Sequence, residues 1–192
     1  MKTQLLMGAL AGLMLACGVA SAQDAGAKPE VNRVDDWLVR CFPVQSPSPC
    51  DMLQELDDQR TRQRVVALSI AFYPSLNRHA LQITVPLEVS IPKGVKLQTD
   101  TYTSPMLKYR RCDRNGCYVE MAVDNGMIEQ LASASGNAKV IITADNGKTY
   151  PLGFSLKGFA TAHDDMVAKA KAKAKPVSQP AADATAPAAA TP

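Results

Sequence analysis

The sequence has no phosphate-binding glycine loop, no nucleophile elbow and no pair of spaced catalytic carboxylates, which leaves phosphoryl transfer and serine-hydrolase chemistry without their usual signatures. It has no Cys-x-x-Cys, the spacing that thiol redox catalysis uses. Histidine is scarce. Only His79 and His163 occur, and no serine, cysteine or second histidine is tied by any local pattern to the His163-Asp164-Asp165 run, so a surface histidine on a terminal helix is expected there. Excess charge is also missing from the central region. Residues 23–165 hold 16 basic and 17 acidic side chains, whereas a nucleic-acid-binding domain carries a basic excess on its fold. No internal repeat is visible, and helical patterns do not alternate with strands, which argues against a parallel α/β sheet. These absences point away from an enzyme, a cofactor and a metal centre.

What is present begins with two unusual ends. Met1-Lys2 is followed by an apolar run from Leu5 to Val19 and by Ala20-Ser21-Ala22, the order of a cleaved export signal. Residues 1–22 are therefore expected to be removed, leaving Gln23 first; the run is short for a membrane span of roughly 20 residues. Met14-Leu15-Ala16-Cys17 is a loose match to a lipoprotein acylation site, so an anchor at Cys17 is the alternative. At the other end, residues 169–192 are alanine, lysine, proline and small polar residues with little to bury, and they read as a disordered tail. Residues 23–34 read as a flexible lead-in. One domain is expected over residues 35–168.

Within that domain the period of two dominates. Trp37, Val39 and Cys41 share one face of a first strand; Cys50–Leu56 forms the next. Val65–Tyr73 and His79–Val85 form a hairpin, and Val95–Asp100 alternates Val95, Leu97 and Thr99 with polar residues. Lys139–Thr143 and Thr149–Leu156 flank Asp145-Asn146-Gly147-Lys148, a strong hairpin turn. Met127, Ile128 and Leu131 suggest a short helix, and Phe159, Ala162, Met166, Val167 and Ala170 a second that covers the sheet. About eight short strands with regular turn signals predict an all-β protein, an antiparallel β-sandwich or flattened barrel with one or two short helices.

Four cysteines lie beyond the export signal: Cys41, Cys50, Cys112 and Cys117. In an exported chain an even number points to disulfides rather than to zinc, whose knuckles prefer closer spacing. Three pairings are open; Cys41–Cys50 and Cys112–Cys117 are expected because each closes a local turn. The second pair brackets Asp113-Arg114-Asn115-Gly116 at the tip of a hairpin. Around it Lys108, Arg110, Arg111 and Arg114 could present a basic ridge to an acidic glycan, a lipid head group or a protein; the alternative is a charged strand that protects a sheet edge.

Several segments together resemble the invasion-associated locus B family of exported bacterial proteins. They are Trp37-x-Val39-x-Cys41, Cys50 through Gln54, Val85-Pro86-Leu87-x-Val89, Lys93-Gly94-Val95-x-Leu97-x-x-Asp100, Tyr109-x-x-Cys112-x-x-x-Gly116-Cys117 and Ser155-Leu156-x-Gly158-Phe159-x-x-Ala162. The resemblance runs from Trp37 to Met166. Glu88 departs from the family's small residue, and the tail lies outside. The resemblance implies a periplasmic, secreted or surface protein, with entry into host cells a property of some members. A non-enzymatic binding protein of the cell envelope is the expected function, and a periplasmic enzyme or enzyme accessory is the alternative.

Overall fold

The computed structural model describes residues 28–134 and 136–174. The expected export signal, Cys17 and the tail from residue 175 onward lie outside the described residues.

Ten strands and two helices are described: β1 (Glu30–Val34), β2 (Trp37–Cys41), β3 (Cys50–Asp57), β4 (Arg64–Tyr73), β5 (Arg78–Val85), β6 (Val95–Gln98), β7 (Arg111–Asp113), β8 (Gly116–Val123), α1 (Asn125–Ser133), β9 (Asn137–Thr143), β10 (Thr149–Ser155) and α2 (Phe159–Lys173). They form a seven-stranded sheet in the order β1-β2-β3-β4-β5-β8-β7 and a three-stranded sheet in the order β10-β9-β6. Every strand pairing is antiparallel. The sandwich-like arrangement is the expected one. It does not close, so the flattened-barrel alternative is not realised.

The alternation read from the sequence is what directs the core. Trp37, Val39 and Cys41 are buried, as are Leu68, Ile70 and Phe72 on β4 and Val95 and Leu97 on β6. Trp37 is fully buried and meets Phe154 and Phe159 edge-on, at centroid distances of 6.5 and 5.1 Å. That geometry suits the ring quadrupoles. One polar side chain enters this core with all its needs met. Gln54 donates to the carbonyls of Asp36 and Ser155, each at 3.1 Å, and accepts from the Ser155 amide at 2.8 Å. Trp37 Nε1 donates to the same Ser155 carbonyl. Gln54 lies on the larger sheet and Ser155 on the smaller, so these bonds tie the two together across the core. In the low dielectric of the interior, a fully satisfied polar contact specifies one relative placement of its partners.

α2 follows at once. Gly158 has φ of 79°, and a Cβ there would lie 2.7 Å from Cβ of Asp35 and 2.8 Å from the Val34 carbonyl oxygen. Glycine is therefore required where the chain turns from β10 into the helix. Phe159, Ala162, Met166 and Ala170 form the buried face of α2, which packs on β1 to β4. α1 starts from an N-cap at Asp124, whose carboxylate accepts from the Met127 amide at 2.9 Å; Ile128 and Leu131 point inward.

Three boundaries differ from the sequence expectation. Glu30–Val34, assigned to the flexible lead-in, is the edge strand β1, paired residue for residue with β2 through a tight turn in which Asp35 adopts φ of 49°. Its side chains are mostly exposed, so no apolar alternation announces it; Asn32 donates to Asp165 at 3.0 Å and Glu30 faces Lys173 at 3.4 Å. Lys169–Lys173, assigned to the tail, completes α2. Alanine and lysine are good helix formers, lysines suit a helix C-terminus, and Ala170 is buried. Finally, Lys108–Arg110 is not strand, because β7 begins only at Arg111.

Candidate functional site

The clip of the Cys112–Cys117 hairpin is built by register. β7 and β8 place Cys112 opposite Cys117 and Asp113 opposite Gly116, leaving Arg114-Asn115 as the turn. The bridged Cα atoms are 4.0 Å apart, and the Cys41–Cys50 bridge likewise joins paired residues of β2 and β3 at 4.1 Å. Gly116 adopts φ of 137°, and a Cβ there would sit 2.3 Å from the Val85 carbonyl oxygen. The hairpin tip is therefore pressed against the end of β5.

The four basic residues of the ridge do not act alike. Arg111 is committed inward to the hairpin: its guanidinium lies 3.8 Å from the Tyr118 ring centroid and 2.9 Å from both Asp113 and Glu120. The Asn115 amide and the Tyr118 hydroxyl, with Arg111 nearby, hold the Asp113 carboxyl below its usual pKa. Arg110 stands 3.5 Å from the other oxygen of Glu120. Lys108 and Arg114 form no ion pair among the described residues. Arg110 and Arg111 are thus paired with acids, and two of the four residues, Lys108 and Arg110, turn to a different feature.

Lys108 and Arg110 line the rim of a groove of about 590 Å³ between the 102–110 segment and β8. Its walls are apolar and soft, with Met106, Met121 and Met127 beside Tyr102 and Tyr109; methionine adapts its shape to varied apolar partners. Met106 is 46% exposed. Tyr109 contributes a buried hydroxyl with no hydrogen-bond partner among the described residues, and burial pushes its pKa up to about 12.

The groove also opens onto backbone. The amide of Arg110, just before β7, donates to the Tyr118 carbonyl at 2.7 Å, and no described backbone bond joins β8 to that side beyond it. By the alternation of an antiparallel ladder, the residues whose N–H and C=O face outward are then Tyr118, Glu120 and Ala122. No described strand pairs with that edge past Tyr118, while β5 covers the other side of β8 along its length.

A second cluster joins the two histidines. His79 on β5 and His163 on α2 approach with Nε2 atoms 3.0 Å apart, in a cavity of about 200 Å³ that α1 also lines. His163 Nδ1 lies 3.2 Å from the Asp164 carboxylate. His79 is buried, and its Nδ1 has no partner. Desolvation first, and then the neighbouring His163, lower its pKa to about 4, against a smaller opposing influence of Asn125. The expected isolated surface histidine at position 163 is therefore corrected: its side chain is only 18% exposed, because α2 turns it toward β5. Among the described residues, no group of three or more histidine, cysteine or acidic side chains is arranged around one point.

Sequence reasoning found the clip and two groove residues, Lys108 and Arg110. It missed Tyr102, Met106, Met121 and Met127, which come from separate segments, and it missed the histidine contact, which spans 84 positions. The spacing of Tyr109 to Cys112 in the resemblance was the only local signal near the groove.

The fold and its two clips define a class: a disulfide-stapled β-sandwich whose sheet is covered by a C-terminal helix. The description "Invasion associated locus B (IalB) protein" matches residues 37–167, and the chain belongs to that family. It is 28% identical over 154 residues to an invasion protein B homolog of Brucella abortus (strain 2308), covering 79% of this chain and 87% of the relative. The homolog from B. abortus biovar 1 (strain 9-941) gives the same values. The crystal structure of invasion associated protein B from Bartonella henselae superposes with a TM-score of 0.64 at 22% identity, covering 73% of this chain and 97% of that one. This likeness establishes the shared fold. No helix among the described residues is long and apolar enough to cross a membrane.

Proposed function

We propose that the protein is an exported, non-enzymatic binding protein of the cell envelope or cell surface, and that it takes an extended segment of a partner protein along the outer edge of β8. The observation that carries this reading is the open edge at Glu120 and Ala122 beside the methionine and tyrosine groove. An added strand would satisfy the exposed N–H and C=O groups while its alternate side chains enter the groove, the usual logic of strand addition. The export-like sequence of residues 1–22 and the two disulfides support a compartment outside the cytoplasm. The relatives are named invasion proteins, so a partner on a host cell is one source of such a segment. Catalysis at the histidine cavity has less support: its lining offers Glu129 and two asparagines but no serine, threonine or cysteine nucleophile.

The test is selection from a display library of unstructured 12-residue peptides, using the untagged mature protein. Enriched peptides with alternating apolar residues should lose at least tenfold in affinity toward Ala122→Pro, which removes an outward N–H, and toward Met106→Glu. Equal binding to Ala122→Pro, or no enrichment, overturns strand addition. Intact mass of the protein from its native host addresses the amino end: a start at Gln23 with four cysteines oxidised is expected, and an acylated Cys17 would replace export in free form by anchoring.

A further inference from the structure

The chain has only two histidines, and the fold brings them into contact from 84 positions apart. We propose that His79 and His163 form a two-imidazole site for a divalent transition-metal cation, with copper(II) the best fit.

Distance sets the coordination geometry. Nε2 atoms 3.0 Å apart, each bound at roughly 2.0 Å, subtend about 95° at a shared metal. That angle is the cis angle of a tetragonal site, which nitrogen and oxygen donors offer to copper(II) or nickel(II), and copper(II) leads the affinity order. A tetrahedral zinc site would need the two nitrogens further apart.

The surroundings prepare both donors. The Asp164 carboxylate beside Nδ1 of His163 favours the proton on Nδ1 and leaves Nε2 as a lone pair, the outer-shell arrangement that orients metal-bound imidazoles. With that tautomer, the proton between the two Nε2 atoms belongs to His79. Metal binding moves it to Nδ1 of the same ring, on the side of the cavity that Asn125 lines, so the exchange releases no net proton at neutral pH. Glu129 and Asn125 of α1 line the same cavity, and water would fill the positions that the two imidazoles leave open. Lys171 of α2 sits over the Phe72 ring, 5.7 Å from its centroid. The metal would join β5, α1 and α2 at one point.

The site assays itself, because any imidazole nitrogen that ligates metal in the untagged chain must come from this pair. Copper(II) titration followed by pulsed electron paramagnetic resonance should show one ion per chain with two coupled imidazoles. His163→Gln should lower affinity at least tenfold and leave at most one imidazole, and Asp164→Asn, a change at an exposed side chain, should weaken binding less. Thermal melting of His163→Gln without metal verifies folding, and Asp164→Asn gives an independent reading if that variant is unstable. Copper bound equally by wild type and His163→Gln, or a spectrum without imidazole coupling, overturns the proposal; two rings that take up protons but no copper would do the same.

Discussion

The two disulfides close short loops in the same way, yet the strand pairs they staple lead to opposite surroundings. Cys41–Cys50 staples one end of the β2–β3 pair, whose other end carries Trp37 and Gln54; there every polar atom of Gln54 has its partner and Trp37 meets two phenylalanines edge-on. Cys112–Cys117 sits beside a groove with an unpartnered buried phenol, an exposed methionine and an uncovered strand edge. A region whose groups satisfy one another holds the fold. A region that leaves donors, acceptors and apolar surface unmatched has room for a partner.

The largest effect that would break this contrast lies in the first region. Trp37→Ala should cost about 3–5 kcal/mol of unfolding free energy, read by denaturant titration, and weaken peptide binding only as far as the folded fraction falls. A binding loss at full folding would show that the first region is not purely structural.

Replacing each cysteine pair with serine comes next. Either double variant should lose roughly 2–3 kcal/mol, since the closed loops are short. Only Cys112→Ser with Cys117→Ser should also weaken the selected peptides in the folded protein, because β7 fixes the end of the groove-wall segment that lies against β8, whereas β6 holds that segment further back, at Ser104 and Leu107. Equal effects of both pairs on binding would erase the distinction.

The smallest effect sharpens it. Tyr109→Phe removes a buried hydroxyl that bonds to nothing among the described residues, so folding should improve by about 1 kcal/mol while affinity for a partner able to bond that hydroxyl falls. Destabilisation by a similar amount would place a bonded water or side chain on that hydroxyl.

Much of this contrast was legible in the residues, but unevenly. The alternation at Trp37, Val39 and Cys41, the Asn146-Gly147 turn and the helical spacing from Phe159 to Ala170 are local patterns that packing enforces. The cysteine pairing was local too. β1 was hidden because an exposed edge strand has no apolar period, and the last turn of α2 was hidden because the Ala-Lys repeat that forms it continues unchanged into the tail. Of the groove only Lys108 and Arg110 were singled out: Met106, Met121 and Met127 converge only after the 102–110 segment folds beside β8. His79 and His163 are likewise joined only by the packing of α2 on the sheet. Scarcity was the one hint, since a chain with two histidines that touch has placed them together against their low abundance.

The central claim is that a partner adds to the outer edge of β8, and residue-resolved amide hydrogen exchange measures this directly. With a selected peptide bound, the amides of Glu120 and Ala122 should become protected at least tenfold while those on the β5 side of β8, already bonded, stay as they were. Unchanged exchange at Glu120 and Ala122 in the saturated complex would contradict the account.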